Sequence, residues 1–215
     1  MPRQRKLKRT EPIQYEVIAT GSSGNSVVID QWMFDLGLPY RKLSKYFSEI
    51  THVFITHIHS DHLNAKTYNE MRKLHPKIKT IGNYEVHQQV GVDIISNHNR
   101  PIKLDNIIVT PFRCRHDVEV QGFVWQKNGA NIIFATDTFT LKHAPREMKY
   151  DYLFLESNHD ETKLELVRAQ VKGRYSPFIS AKRHLSSQQC REFYYFNRRD
   201  KGSKLIELHM SSRFY

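Results

Sequence analysis

The sequence predicts an α/β fold in which two mixed sheets pack face to face with helices on the outside. The chain has 215 residues, which suffices for one core, and it shows no internal repeat or shift in composition that would divide it. Short strand-like segments dominate two stretches of the chain, and helix-like segments follow each stretch. Two sheets covered by outer helices would bury both sets of strands, so we expect a single domain over residues 13–215.

The first stretch contains four short apolar segments bounded by turn residues. They predict strands over 15–19, 26–30, 32–35 and 52–55. Apolar residues at helical spacing predict two helices, one over 39–47 and one over 65–74. The second of these helices ends before Pro76, because proline cannot continue a helix.

The second stretch repeats this pattern later in the chain. Its strands are predicted over 106–110, 122–126, 131–135 and 152–155, and a last strand is predicted over 204–208. Helices are expected over 162–171 and 186–196, between the fourth of these strands and the last. The helices therefore interrupt the strands and supply the outer layers.

The charge of the chain favours a polyanionic partner. The chain has 33 Lys and Arg residues against 22 Asp and Glu residues, which gives a net charge of +11. This excess of positive charge favours nucleic acid as a binding partner. Residues 1–12 contain a cluster of cations and no apolar stretch, so they are not a secretory signal. They predict a basic flexible tail, which either binds the phosphates of a nucleic acid or is simply exposed to solvent. The cations of this tail are Arg3, Arg5, Lys6, Lys8 and Arg9.

Hydropathy and cysteine usage indicate where the protein works. No apolar run approaches the roughly 20 residues that span a bilayer, so we expect a protein that does not enter the membrane. Cys114 and Cys190 cannot form a disulfide scaffold and lack the paired spacing of a structural zinc cluster, which suits a reducing cytoplasm. The oligomeric state stays open, with a homodimer among the outcomes.

A cluster of histidines directly follows the apolar segment at 52–55. The stretch from Ile55 to Asn64 reads ITHIHSDHLN and places three histidines and a carboxylate within six residues. Two imidazoles at i and i+2 project to the same side of an extended segment, and the acidic residue and histidine beyond them can turn back toward the same point. This spacing indicates a metal site that needs further ligands from elsewhere in the chain.

Other polar residues stand at the places where predicted strands end. One such residue is ordinary, because strands finish in solvent, but five in series indicate that the strand ends converge on one site. These residues are His57, His116, Asp137, Glu156 and His209.

With these residues the sequence resembles the metallo-β-lactamase superfamily. The H-x-H-x-D-H signature of that superfamily matches His57, His59, Asp61 and His62. Its further landmarks follow in order as Asp35 in FDLG, His116 in CRHD, Asp137 in FATDT and His209 in ELHMSSRF. The resemblance runs from about residue 15 to the C-terminus and implies the four-layer αββα sandwich of the superfamily.

Within the superfamily the chain is most similar to the YycJ/WalJ-type branch of bacterial and phage proteins. The shared segments are GSSGNS at 21–26, LESNHD at 155–160, HLS at 184–186 and HMS at 209–211. The ending is similar to that of ribonuclease Z. Both likenesses imply phosphodiester hydrolysis rather than antibiotic cleavage, in a bacterial cytoplasm and from a bacterial or phage gene. One departure is Arg183, which stands where the branch usually has glycine.

Carried over position by position, the resemblance implies two divalent metal ions. One would be held by His57, His59 and His116 and the other by Asp61, His62 and His209, with Asp137 bridging them. Imidazole and carboxylate ligands suit Zn²⁺ or Mn²⁺, with Fe²⁺ as a further candidate. A pair of such metals can activate a water for attack on a phosphodiester and neutralise the charge of its oxygens.

Three residues receive roles around the metal pair. Asp61, besides ligating, is placed to accept a hydrogen bond from the attacking hydroxide, and Asp35 is expected to orient the ligands. The leaving oxygen needs a proton, and His184 is the candidate general acid. The alternative for His184 is that it only packs beside a helix start, where Ser186 caps the helix.

Four residues are candidates for binding the substrate. Ser22, Ser23 and Asn25 lie in a glycine-containing turn, which either cradles a phosphate with its backbone N–H groups or is only a tight turn. His159 contacts substrate or metal, or else closes a polar loop.

These expectations favour a metal-dependent phosphodiester hydrolase, in the first place a nuclease that acts on DNA or RNA. The alternative is a hydrolase of small substrates, such as a cyclic nucleotide phosphodiesterase or a thioesterase, because the same two-metal core would serve it. A binding module without chemistry fits less well, since the ligand set is complete.

Overall fold

The computed structural model describes residues 11–168 and 181–211. The first sheet has six strands in the order β1-β2-β3-β4-β5-β6. Their bounds are β1 Tyr15–Ala19, β2 Ser26–Ile29, β3 Trp32–Phe34, β4 His52–Ile55, β5 Lys79–Gly82 and β6 Ile94–Ile95. Strands β1 to β3 pair antiparallel and β3 to β6 pair parallel, so the sheet is mixed.

The second sheet also has six strands, in the order β12-β11-β10-β9-β8-β7. Their bounds are β7 Ile102–Leu104, β8 Ile107–Arg115, β9 Glu119–Lys127, β10 Ala130–Ala135, β11 Tyr152–Glu156 and β12 Lys204–Leu208. Strands β10, β11 and β12 are parallel, while β7 to β10 pair antiparallel.

Five helices accompany the sheets in the described part of the chain. They are α1 Tyr40–Leu43, α2 Ala65–Leu74, α3 Tyr84–Val90, α4 Glu161–Arg168 and α5 Ser187–Asn197. Asn64 begins α2 by accepting the N–H of Thr67, and Ser186 begins α5 through a capping box with Gln189. None of the helices in the described ranges is long and apolar enough to cross a membrane.

Aromatic side chains fill the space between the two sheets. Phe34 of β3 stacks on Phe134 of β10 with ring centres 4.4 Å apart, and on Trp125 of β9 at 5.4 Å. Each of these side chains is almost fully buried, and burial of aromatic surface is a large stabilising contribution. The inner faces of the sheets therefore form one continuous core.

Two further apolar clusters cover the outer faces of the sheets. Met71 of α2 packs in the cluster that contains Val53 of β4, and Phe193 of α5 packs in the cluster that contains Leu155 of β11. Helices thus lie outside both sheets. This arrangement confirms the four-layer αββα sandwich predicted from the sequence.

Several predicted elements differ from the structure. The helix predicted over 39–47 ends at Leu43, because tight turns follow in which the N–H of Tyr46 donates to Leu43 and that of Glu49 donates to Tyr46. Strands β5, β6 and β7 and helix α3 were not predicted, since their apolar runs are too short to show a period. The predicted tail lies, except for residues 11 and 12, outside the described residues, as does the end of the helix predicted over 162–171.

A tight backbone junction positions the loop that carries the histidine cluster. After β3, the N–H of Leu36 donates to the carbonyl of His62, and the N–H of Gly37 donates to Asn25. The N–H of Asn25 in turn donates to the carbonyl of Asp61. Gly37 lies so close that a Cβ atom there would overlap the carbonyl oxygen of Asp61. Only glycine therefore fits this contact.

Gly37→Ala is expected to push the loop at Asp61 and His62 away from β3. Overpacking of this kind costs about 1–3 kcal/mol, so the free energy of unfolding in urea should fall by that amount. Gly202→Ala is the matched control, because a Cβ there would meet only the end of the Asp200 side chain. An unchanged urea midpoint for Gly37→Ala would contradict the close contact.

Candidate metal centre

Strand ends from both sheets converge at one edge of the sandwich. His57 lies two residues beyond β4 in the first sheet. His116 directly follows β8, Asp137 lies two residues beyond β10, and His209 directly follows β12, all in the second sheet. The structure therefore brings together residues that are far apart in the sequence, as the series of polar strand ends indicated.

Three of the residues at this edge adopt a backbone conformation that L-residues seldom take. The φ angles of Asp35, Asp137 and His209 are 64°, 48° and 55°. Asp and His tolerate this left-handed region better than most side chains, and such strain is concentrated at functional sites. Each sharp turn places a buried polar side chain within two residues of the end of a strand.

The residues assigned to the first metal form one group. His57, His59 and His116 each present a ring nitrogen, and these atoms lie within 4.8 Å of one another. The rings of His57 and His59 have centres 4.7 Å apart, and those of His59 and His116 are 5.2 Å apart.

The residues assigned to the second metal form another group with the same property. Asp61, His62 and His209 present ligand atoms within 4.8 Å of one another. His209 lies between two carboxylates: its Nδ1 is 3.0 Å from Oε1 of Glu156, a hydrogen-bond distance, and its Nε2 is 3.7 Å from Oδ2 of Asp61, which is too long for a hydrogen bond.

Asp137 lies between the two groups. Its Oδ2 is 2.7 Å from Nε2 of His62, while its Oδ1 is 3.9 Å from Nε2 of His116. Asp35 contacts the opposite side of the His62 ring, with Oδ2 2.7 Å from Nδ1. Asp35 also accepts hydrogen bonds from the N–H and the hydroxyl of Thr56. Its position thus suits the orientation of His62 that was expected of it.

Burial and neighbouring charges set the pKa values of these groups. Burial lowers the pKa of His57 well below its ordinary value, so the ring is neutral and able to ligate a metal. Burial opposes the charge of His62, but without a metal ion the carboxylates of Asp137 and Asp35 raise its pKa to about 10, so a metal that binds this ring would displace its proton. Burial alone would raise the pKa of Asp137, yet His62 and His209 hold it well below its usual range.

Two buried ring nitrogens support a metal role for the cluster. Within the described ranges, Nε2 of His57 and Nε2 of His209 are buried and have no hydrogen-bond partner. A buried polar atom without a partner is costly, and it is rare in folded proteins. Imidazole nitrogens that point at carboxylates and at other imidazoles match the donor set of a site for zinc or manganese. The residues present therefore fit metal ions.

Glu156 is a member of the site that the sequence placed among the converging strand ends but to which it gave no role. It is fully buried, and its Oε1 lies 2.6 Å from Nδ1 of His184 and 3.0 Å from Nδ1 of His209. Its Oε2 accepts the N–H groups of Thr138 and Leu185. Burial opposes the ionised form of Glu156, but His184 lowers its pKa, and burial likewise opposes the charge of His184 while Glu156 raises its pKa. The only sequence signal for Glu156 was its position as a polar residue at the end of the apolar strand β11.

A second unassigned residue, Asp117, lies at the mouth of the site. Its Oδ1 is 3.1 Å from Nε2 of His116 and 3.4 Å from Nε2 of His59, and its Oδ2 is 2.7 Å from a guanidinium nitrogen of Arg183. Arg183 therefore connects the loop of His184 to the loop of His116. This ion pair gives a structural reason for arginine at the position where the resemblance leads one to expect glycine.

The candidate substrate residues fall in different places. Asn25 is buried, and its Nδ2 lies 2.8 Å from Nε2 of His62 and 3.3 Å from Oδ2 of Asp61, which suits orientation of those side chains. Ser22 and Ser23 are exposed in the turn before it. His159 is buried and lines a cavity together with His184.

Comparisons with known proteins identify the fold and the family of the chain. The family model described as Beta-lactamase superfamily domain matches residues 25–168. The structure of the short form of human tRNase Z (ELAC1) aligns with a TM-score of 0.68 at 16% identity, over 93% of this chain and 93% of that chain. YhfI from Bacillus subtilis, a metallo-β-lactamase fold protein, aligns with a TM-score of 0.69 at 14% identity, over 94% and 88%. A diphosphatase from the PhnP family aligns with a TM-score of 0.64 at 15% identity, over 93% and 87%.

No curated protein sequence matches the chain significantly. Identities this low between structures show the fold alone, so the structural neighbours support the αββα sandwich and not a particular substrate. The family model is different, because it matches more than half of the chain and includes the H-x-H-x-D-H segment. The chain therefore belongs to the beta-lactamase superfamily, and this membership together with its ligand cluster supports a metal-dependent hydrolase.

Proposed function

We propose that the protein is a phosphodiester hydrolase, in the first place a nuclease that acts on DNA or RNA. The observation that best supports this is the position of His184 beside the metal-ligand candidates. Its Nδ1 lies 3.5 Å from Oδ1 of Asp137, and its ring centre lies 5.1 Å from that of His116. Cleavage of a phosphodiester needs positive charge at the phosphate, which metal ions bound by these residues would supply, and an acid at the leaving oxygen, the role proposed for His184.

The residues that would hold two divalent metal ions, Zn²⁺ or Mn²⁺ and alternatively Fe²⁺, are the two groups of ligand candidates with Asp137 between them. When bound, such a pair lowers the pKa of water and neutralises the charge of phosphate oxygens. Asp61 is the ligand candidate suited to a second task. Its side chain is 23% exposed and faces His62 and His209, so one carboxylate oxygen is accessible to orient the attacking water.

His184 would protonate the leaving oxygen. Its Nδ1 donates to Glu156, which fixes the ring and leaves Nε2 as the atom that can donate to a substrate. The carboxylate of Glu156 raises the pKa of His184 against the effect of burial, which favours the protonated ring that the leaving oxygen requires.

Charge and the structural neighbours support a phosphate ester as substrate. The net charge of +11 favours a polyanion. One neighbour is a tRNase and another is a diphosphatase, and both of these names refer to phosphate chemistry. The YycJ/WalJ-like placement stays a prediction. The alternative substrate class is small, a cyclic nucleotide or a thioester, and the experiment below includes it.

The first test compares substrates and metal. Purified protein should hydrolyse labelled DNA or RNA and a bis(aryl) phosphodiester, and a chelator should abolish both activities. His59→Ala and Asp137→Asn should each lose metal and essentially all turnover, because each variant removes a ligand candidate. His143→Ala is the matched control, since His143 is exposed and lies outside the ligand groups. Metal content is measured by elemental analysis.

Two results would contradict the proposal. Full metal occupancy with retained turnover in His59→Ala and Asp137→Asn would remove the metal assignment. Cleavage of a cyclic nucleotide or thioester without cleavage of DNA, RNA or the bis(aryl) diester would replace the nuclease by the small-substrate hydrolase.

His184→Ala should retain metal but lose about 10²–10⁴-fold in rate on a substrate with a poor leaving group, because the proton donor is gone. A phosphodiester with a nitrophenolate leaving group, which needs no proton, should be cleaved almost normally. Equal losses on both substrates would leave His184 a packing residue beside the start of α5.

The basic tail provides a further prediction. If its cations contact phosphates, affinity for nucleic acid should fall by about 10³–10⁵ between 50 and 200 mM salt when 6–10 phosphates are engaged in all. Deletion of residues 1–10 should flatten this dependence in Asp137→Asn protein, measured by fluorescence anisotropy. An unchanged slope would make the tail a solvated extension.

A further inference from the structure

A cavity of about 550 Å³ lies between the loop that follows β10 and helix α5, and Leu185, the neighbour of His184 in the chain, is among its lining residues. A second cavity of about 300 Å³ contains His184 and His159. Phe139 and Gln189 line both cavities, so the two spaces adjoin at these residues. A ligand that reaches His184 can therefore extend past Phe139 into the larger space, whose volume is in the range of ligand pockets, roughly 300–1,000 Å³.

The charges on the two sides of Phe139 differ in sign. Lys142, Arg146 and Lys149 line the larger cavity, where Glu192 is also present, and all three cations are exposed. The smaller cavity is lined by Glu161 and Glu165 together with Lys182. A polyanion held near His184 is therefore attracted toward the larger cavity and not along the carboxylates of α4.

Phe139 forms an aromatic platform at the boundary. The residue is 38% exposed, and the guanidinium carbon of Arg115 lies 5.0 Å from the ring centre. The N–H of Phe139 also donates to the carbonyl of Arg115 at 3.1 Å. Arg115 directly precedes His116 in the chain, and Phe139 is two residues beyond Asp137. The platform is thus fixed to two of the metal-ligand candidates, with a cation over one face.

A second aromatic side chain borders the same cavity. Phe196, at the end of α5, is 70% exposed. The ammonium group of Lys149 donates to the carbonyl of Phe196 at 2.6 Å, which holds this cation beside the second ring. Exposed aromatic rings interleaved with Lys and Arg are the combination that binds single-stranded nucleic acid, because bases stack on the rings and phosphates pair with the cations.

We propose that the cavity defined by Phe139, Lys142, Arg146, Lys149 and Phe196 binds unpaired nucleotides on the leaving-group side of the cleaved phosphate. The assignment to the leaving-group side follows from the position of His184. This residue is the proposed proton donor to the leaving oxygen, and it lines the smaller cavity that adjoins this one. The inference rests on the proposed hydrolase function and adds its substrate class, a nucleic acid that is single-stranded beside the cleavage point. A duplex presents its bases stacked on one another and so cannot use Phe139 and Phe196 in this way.

The test measures the affinity of the full chain for a labelled single-stranded oligonucleotide. Fluorescence anisotropy reports the binding at each concentration of a salt series. Phe139→Leu keeps an apolar side chain but removes the ring, and it should weaken binding by about 5–150-fold, the loss expected for one stacked base. The double variant Lys142→Ala with Arg146→Ala should reduce the slope of log affinity against log salt by about 1.4, at about 0.7 for each phosphate contact of a single strand.

Matched controls replace cations elsewhere. Lys77→Ala with Lys103→Ala removes two exposed lysines that do not line the cavity, and it should leave both affinity and slope as in the parent chain. Phe139→Leu and the double variants should keep the parent unfolding midpoint, which separates lost binding from lost fold. A duplex oligonucleotide should bind Phe139→Leu and the parent chain equally.

Outcomes for the cavity and for the hydrolase are distinguishable. If Phe139→Leu and the cation double variant bind single strands like the controls, the cavity assignment is overturned, even when the parent chain cleaves the bis(aryl) diester. Equal losses on duplex and single strand would overturn the assignment to unpaired nucleotides. If the parent chain fails to cleave that diester while the variants lose binding, the hydrolase fails, and the cavity remains a single-strand site without a leaving-group side.

Discussion

The site depends on a buried chain of hydrogen bonds that crosses from one sheet to the other. Thr56 donates to Asp35, Asp35 accepts from Nδ1 of His62, and Nε2 of His62 lies 2.7 Å from Oδ2 of Asp137. The first three residues belong to loops of the first sheet and Asp137 to the second. Each charge in this chain is paired while buried, and the loss of one partner would leave an uncompensated charge in the interior. The relative position of the sheets is therefore coupled to the geometry of the ligands.

The part of the site encoded in one short segment could be predicted from the sequence. His57, His59, Asp61 and His62 lie within six residues, so their spacing alone indicates a common target. The role of Glu156, by contrast, could not be assigned from its position at a strand end, because its partner His184 is 28 residues away and the contact exists only after α5 packs on β11. A polar residue at a strand end looks the same in the sequence whether it faces solvent or a buried imidazole.

The fold shows the same division between local and tertiary information. Long apolar or strictly periodic segments, such as β10 and α2, were predicted with nearly correct bounds. Strand β6 has only two residues and owes its existence to pairing with β5, and helix α1 ends after four residues although apolar spacing continues to Phe47. In both cases the neighbouring chain decides the structure, and a single sequence window does not contain that neighbour.

The ligand candidates are divided almost evenly between the two sheets: His57, His59, Asp61 and His62 come from the first, and His116, Asp137 and His209 from the second. Neither sheet holds a complete set, so a chain with all its strands and helices formed, but with the sheets docked a few ångströms out of place, would be spectroscopically folded and inert. Activity is consequently a sensitive reporter of native docking. A variant library sorted by turnover would select for the packing of Phe34 on Phe134 as strictly as for the imidazoles themselves.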